Sequence, residues 1–222
     1  DDLCDQRPID AWGARNHIDT SHYGFPCATV NPGEANSLLL DLRGDKNLVR
    51  VDLSAADIGL AKVKRDYVAL NFFLEHPLRN GWYGKVNYTL SRNQGNNEGQ
   101  VDSLQGNNVA QTVGWDHKEL MLNASGDLPN DRRHVIKAFG FVEINPELTV
   151  GGNFSLYSGM PRNCLGELPT SISPNLGYGS SYFFCNGLPS PRGSLGRMPW
   201  LMQLDTSLSY RPKALAGLNM KV

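Results

Sequence analysis

The chain of 222 residues contains no uninterrupted apolar run of the roughly 18 residues that a membrane-crossing helix needs. That absence excludes one kind of membrane protein only, because the strands of a membrane barrel alternate and leave a much weaker signal. Charge of one sign is not in surplus either. Lys and Arg number 21 against 22 Asp and Glu, for a net charge of −1, with no basic or acidic block. A dedicated nucleic-acid surface is therefore not expected. No phosphate-cradling glycine loop, closely spaced Cys-x-x-Cys or nucleotide fingerprint occurs, and no cofactor is expected. The 5 histidines are scattered, no nucleophile and base can be paired among them, and the chain does not read as an enzyme. The opening DDLCDQRPID lacks the apolar core of a leader and reads as the start of a mature or excised segment.

Cysteine is sparse, at 4 residues. Four cysteines allow three connectivities. Cys4 with Cys27 and Cys164 with Cys185 is the simplest, since each pair sits inside one stretch rich in Gly, Pro and Asn. Disulfides of this kind belong to an oxidising compartment. A zinc site from Cys4, Cys27, His17 and His22 competes. Its spacing lacks a close ligand pair, and no metal is expected.

What the sequence does hold is alternation. In GWYGKVNYTLSR, residues 81–92, the set Trp82, Gly84, Val86, Tyr88 and Leu90 is apolar or small. The set Tyr83, Lys85, Asn87, Thr89 and Ser91 is almost wholly polar. Successive strand side chains point to opposite faces, so this is a strand with a greasy face and a wet face. The same pattern predicts strands over 65–76, 132–144, 148–158, 200–210 and 217–222. Residues 1–64 read as a loop region. Within it, 1–35 is an ordered loop, 36–53 a hairpin turning at Gly44-Asp45-Lys46, and Ser54 to Gly59 a capped helical turn. The Arg43-Gly44-Asp45 triplet is explained by that turn.

Connections between the predicted strands alternate short and long. Pro77 to Gly81 and Asn145 to Glu147 read as tight turns. The stretches after Arg92 and after Met160 are long and polar. In an up-and-down antiparallel meander all short turns then lie at one end, the asymmetry of a membrane barrel with short periplasmic turns and long extracellular loops. Strands of this length match a tilted crossing, and Trp82, Trp200 and Tyr210 fall near strand ends, where an interfacial girdle would place them. The fold expected is all-β, part of a transmembrane β-barrel. A soluble or surface-attached β-sandwich, acting as an adhesin or carbohydrate-binding module, is the alternative.

Four stretches carry a family resemblance. They are KRDYVALNFFLEHPLRNGWYGKVNYTLSRNQGNNEGQ, ELMLNASGDLPNDRRHVIKAFGF, LTVGGNFSLYSGMPRNCLG and PSPRGSLGRMPWLMQLDTSLSYRP. In this order they resemble consecutive barrel pieces of a TonB-dependent outer-membrane receptor, most closely of the Oar-like subgroup. The landmarks are Tyr88 to Arg92, Leu128 to His134 and Ser158 to Pro161. The resemblance implies a bacterial outer membrane, a lipid-covered wall, and uptake of a scarce ligand. It also implies a TonB complex acting through a plug domain that this stretch does not contain. Six strands cannot close so large a barrel, and the chain reads as a segment of the C-terminal half. On this reading, ligand contacts are expected from long loops and inward residues at the loop end: Arg92, Asn93, Trp115, Asp116, Arg132, Arg133, Tyr157 and Arg162. The partner would be an unknown small ligand or peptide.

Overall fold

The structure, a computed structural model, describes residues 2–24, 27–99, 101–102, 108–109, 113–174 and 176–212. The chain divides into two compact units, each drawn from three stretches. One takes residues 1–65, 94–129 and 162–195, which are the N-terminal region and both long connections. The other takes residues 66–93, 130–161 and 196 onward, which contain the long strands.

The first unit has a true core, where the sequence suggests a loop region holding a short hairpin and a helical turn. Residues expected as an ordered loop contain a helix, α1 (Arg7–Asn16). Pro8 does not prevent it. Proline sits in the first turn, where its missing N–H would have had no helical partner. Ile9 and Gly13, four residues apart and so on one face, are buried. A hairpin follows, β1 (Asn36–Leu40) paired antiparallel with β2 (Val49–Leu53). Val51 and Leu53 alternate inward and are buried. The short helix α2 (Ala55–Ile58) is capped at both ends. Ser54 accepts from the Asp57 N–H, the Asp57 side chain accepts from the Ser54 N–H, and Gly59 closes the turn at φ 71°.

These elements enclose Leu3, Ile9, Tyr23, Val30, Leu42, Val51, Leu53, Ile58, Leu60 and Trp115. Trp115 comes from the first long connection, so that connection is folded against the N-terminal region. Leu120, from the same connection, packs with Tyr182 and Phe184 of the second. The two long connections, expected as separate loops, therefore share a core. Disulfides join Cys4 to Cys27 and Cys164 to Cys185. The first removes the thiolates a zinc site would need.

The second unit is a meander. Its strands are β3 (Arg65–Arg79), β4 (Trp82–Gly95), β5 (His134–Asn145), β6 (Leu148–Tyr157) and β7 (Leu201–Tyr210). Each is hydrogen-bonded to its sequence neighbour, giving the order β7-β6-β5-β4-β3 in an open sheet. The pairings of β4 with β5, β5 with β6 and β6 with β7 are antiparallel, and the register shifts once, between Glu143 and Asn145 beside the turn that joins β5 to β6. The expected turn at Pro77 to Gly81 is shorter. Strand β3 runs to Arg79, and only Asn80 (φ 53°) and Gly81 (φ 76°) turn. Two consecutive left-handed residues, Asn then Gly, form the two-residue loop that matches strand twist. Pro77 is tolerated because β3 is an edge strand of this sheet. The expected strand at 217–222 lies outside the described residues.

Candidate functional site

The register sorts the sheet into two faces. Val142 lies opposite Trp82 and Val150, which lies opposite Leu208; Ala138 lies opposite Val86 and Phe154, which lies opposite Leu204. With Val68, Leu70, Phe72 and Leu74 of β3, these form one largely apolar face, interrupted by His76, His134 and Thr206 and, toward the long connections, by Asp66, Arg92 and Gln94. It is exposed: Leu74 stands 74% exposed, Met202 68% and Leu208 66%. Gly84, Gly140 and Gly152 align across β4, β5 and β6. They floor an apolar groove of about 470 Å³ walled by Leu74, Trp82, Val86, Phe154 and Leu204.

Aromatic rows cross this face toward its two ends, with Val68, Leu70 and Leu90 beyond the first. At the end of the long connections, the rings of Phe72, Tyr88, His134 and Trp200 follow one another at centroid spacings of 6.1, 6.1 and 5.8 Å, nearly parallel. The Tyr88 hydroxyl is hydrogen-bonded to His134 Nδ1 at 2.8 Å. At the short-turn end, His76 stacks on Trp82 at 3.5 Å, and Tyr210 ends β7.

The opposite face is polar with aromatic islands. Glu75 accepts from the Tyr83 hydroxyl at 3.1 Å and pairs with Lys85 at 3.1 Å. Thr89 donates to Asn71. Tyr83 packs on Phe139 and Phe141, and Lys85 lies over Phe73.

The landmarks of the resemblance meet at one place. At the long-connection end of the sheet, the Asp131 side chain is wholly buried. It accepts from the Asn93 backbone N–H, from Arg133 Nε at 2.9 Å, and from Arg197. Arg197 also donates to the carbonyls of Asp131 and Gly159. Ser91 Oγ donates to the Arg132 carbonyl at 2.9 Å. Ser158 N–H donates to the His134 carbonyl, and Ser158 Oγ accepts from His134 N–H. Gly159 is demanded here, because a Cβ would collide with the Met198 carbonyl. The three landmarks, with Arg197 of the fourth stretch, thus form one clamp that ties together the ends of β4, β5 and β6 and the entry to β7. A buried carboxylate is stable only when paired and hydrogen-bonded, which explains the two arginines.

The expected ligand residues divide. Arg92, Asn93, Arg132, Arg133 and Tyr157 gather in the second unit around this clamp. Asn93 is buried and Arg133 is held by Asp131, so both serve the clamp. Arg92 is exposed. Arg132 donates to the Ser158 carbonyl and lies over the Tyr157 ring, 5.4 Å from its centroid. Lys137, absent from the sequence expectation, lies 6.0 Å from the same centroid. Its only sequence signal was a lysine on an otherwise mixed face of β5. In the first unit, Trp115 is core and Asp116 is buried, accepting from the Tyr178 hydroxyl at 2.8 Å. Burial and that carboxylate push the Tyr178 hydroxyl pKa well above its ordinary value. Neither Trp115 nor Asp116 presents itself to a ligand. Arg162 is exposed.

Two ion networks brace the first unit. Arg7 binds Asp5 and Glu119, both at 2.7 Å. Burial opposes Glu119 ionisation, but its hydrogen bonds, Arg7's first, outweigh that and hold its carboxyl below the ordinary value. Arg192 pairs with Glu98 at 2.7 Å, donates to the Ala124 carbonyl and covers the Phe183 ring.

No protein-family model matches the chain, and no solved structure does. Over 157 residues it is 31% identical to the TonB-dependent transporter Oar of Myxococcus xanthus. The match covers 66% of this chain, which spans 14% of the length of that curated relative. The chain is thus related in sequence to a TonB-dependent transporter.

Proposed function

We propose that this chain is part of a TonB-dependent outer-membrane receptor of the Oar-like kind. Its sheet forms a stretch of barrel wall, and the unit built from its long connections forms part of the external surface that captures ligand. One observation carries the reading: a five-strand apolar face left exposed and crossed by two aromatic rows, backed by a polar face. Leaving that face to water would expose on the order of 1,000 Å² of apolar side chain, against a few hundred on an ordinary soluble monomer. From Trp200 to Tyr210 is about 33 Å along a strand at 3.3 Å per residue, or about 25 Å in height when tilted near 40°, the height of a barrel's apolar band. A β-sandwich would cover such a face with a second sheet, whereas these residues stand exposed.

In this reading the apolar face meets lipid and the polar face lines the lumen. The aromatic island of Phe73, Tyr83, Phe139 and Phe141 gives a plug segment something to pack on. Arg132, Tyr157 and Arg162 are the proposed ligand-facing residues, and Arg92, which follows Leu90 on the apolar side of β4, marks the external rim. Uptake would follow capture, driven by TonB through the plug. Fractionation of cells producing the full-length protein tests this. Recovery in the detergent-soluble outer-membrane fraction, resistant to alkaline and high-salt washing, is expected. Recovery in the aqueous phase refutes the membrane reading.

A further inference from the structure

We propose that Arg132, Lys137 and Tyr157 form a subsite for an anionic group, a carboxylate or phosphate, on the polar face beside the Asp131 clamp. The proposal rests on the reading of that face as the wet interior wall and names the ligand chemistry it takes. Two cations stand within 5.4 and 6.0 Å of the centroid of one tyrosine ring. A cation beside an aromatic face is attracted by the ring; Arg132 is half-buried there and Lys137 is exposed. Arg132 is anchored further by its bond to the Ser158 carbonyl, 2.9 Å long. Among the described residues, neither Arg132 nor Lys137 has a carboxylate partner. The buried acid nearby, Asp131, is engaged by Arg133 and Arg197.

The contrast with the rest of this face is informative. Lys85, on the same face two pairs nearer the short turns, is matched by Glu75. Lys137 lies opposite Asn87 and Ser155, and Ser155 lies opposite Gln203, so its cross-strand neighbours are neutral hydrogen-bonding groups. Positive charge left uncompensated beside neutral donors selects an anion, through charge-assisted hydrogen bonds to Arg132 and Lys137. Tyr157 is a positioning residue, holding the two cations at a common distance. Phosphates of membrane lipid carry the same chemistry but would approach from the apolar face.

The test uses the full-length protein, purified in detergent, with citrate and pyrophosphate as probes in calorimetric titrations at low salt. Saturable binding of at least one probe is expected. It should weaken about tenfold in Lys137→Gln and in Arg132→Gln, and fade as salt is raised. Tyr157→Phe should retain binding and Tyr157→Leu should weaken it. A lysine elsewhere on the face, Lys85→Gln, should leave it unchanged. Unaltered melting temperatures establish that the variants fold. Failure of the wild type to bind either probe overturns the site, as does binding indifferent to Lys137 and Arg132. A change confined to co-purified lipopolysaccharide also overturns it, in favour of lipid. These outcomes are independent of fractionation: a membrane-embedded protein that ignores both anions refutes the subsite alone, and a water-soluble one that binds them refutes the barrel alone.

Discussion

At the scale of the residue, neighbouring positions on one strand have opposite tolerance. Val86 lies on the exposed apolar face, and Asn87 on the polar one. In the barrel reading, Val86→Arg should cost about 2–4 kcal/mol near the bilayer midplane, while Asn87→Arg should cost under about 1 kcal/mol. Equilibrium folding into lipid vesicles measures both, and equal tolerance would contradict the assignment of faces. Asp131 answers to different physics. Its side chain is fully enclosed and shared by two arginines. Asp131→Asn keeps the shape and removes the charge, leaving the arginines uncompensated, and should destabilise by about 3–5 kcal/mol. Urea unfolding of the variant checks this; a loss below about 1 kcal/mol would show that the clamp is incidental. The landmarks that carry the family resemblance are thus read as architecture, and the residues proposed for ligand stand beside them.

At the scale of the element, the strands were legible because period-2 alternation is local and repeated. Trp82, Val86, Tyr88 and Leu90 share the face that their spacing assigns. The boundaries were less so. Pro77 resembles a strand terminator until it is seen at a sheet edge, and the turn contracts to Asn80 and Gly81. Gly81→Val forces a branched side chain into left-handed backbone and should cost about 1–2 kcal/mol, read as a lower urea midpoint, whereas Asn80→Gly should be nearly neutral. Helix α1 was missed for a reason visible in its sequence. Pro8 and Gly13 are breakers in a composition count, yet Pro8 sits where a helix accepts it and Gly13 sits where Thr20 and Ile18 approach closely. The Asp131 clamp was invisible because its members are scattered through four stretches and converge only when the sheet forms.

At the scale of the whole molecule, the core of the first unit was the least legible part. Leu3, Tyr23, Val30 and Trp115 come from irregular stretches or elements of two or three residues, without shared period, so no window of sequence reveals that they meet. The disulfides and Arg7–Glu119 hold that unit together. Loops of 23 and 21 residues closed by disulfides contribute about 3 kcal/mol each by the chain-entropy argument. Acid acts through Glu119. Its carboxyl titrates below its ordinary 4.5 in the folded state, so the stability it contributes is present above that value and falls away as pH drops through the folded value. Thermal melts should show the first unit losing stability below about pH 4.5, with Glu119→Gln flattening that dependence. An unchanged acid limb in the variant would assign the effect to other carboxylates.

The interleaving of the two units has an evolutionary consequence. Surface loops on a conventional scaffold can be exchanged one at a time, since each ends where it began and carries its own packing. Here Trp115 lies in the core of the N-terminal region, and Leu120 lies against Tyr182 and Phe184. A recombination event that swapped one long connection alone would leave half a hydrophobic interior facing a stranger. The three stretches of the first unit must therefore drift together, with Trp115 and Leu120 constrained by partners in the other two.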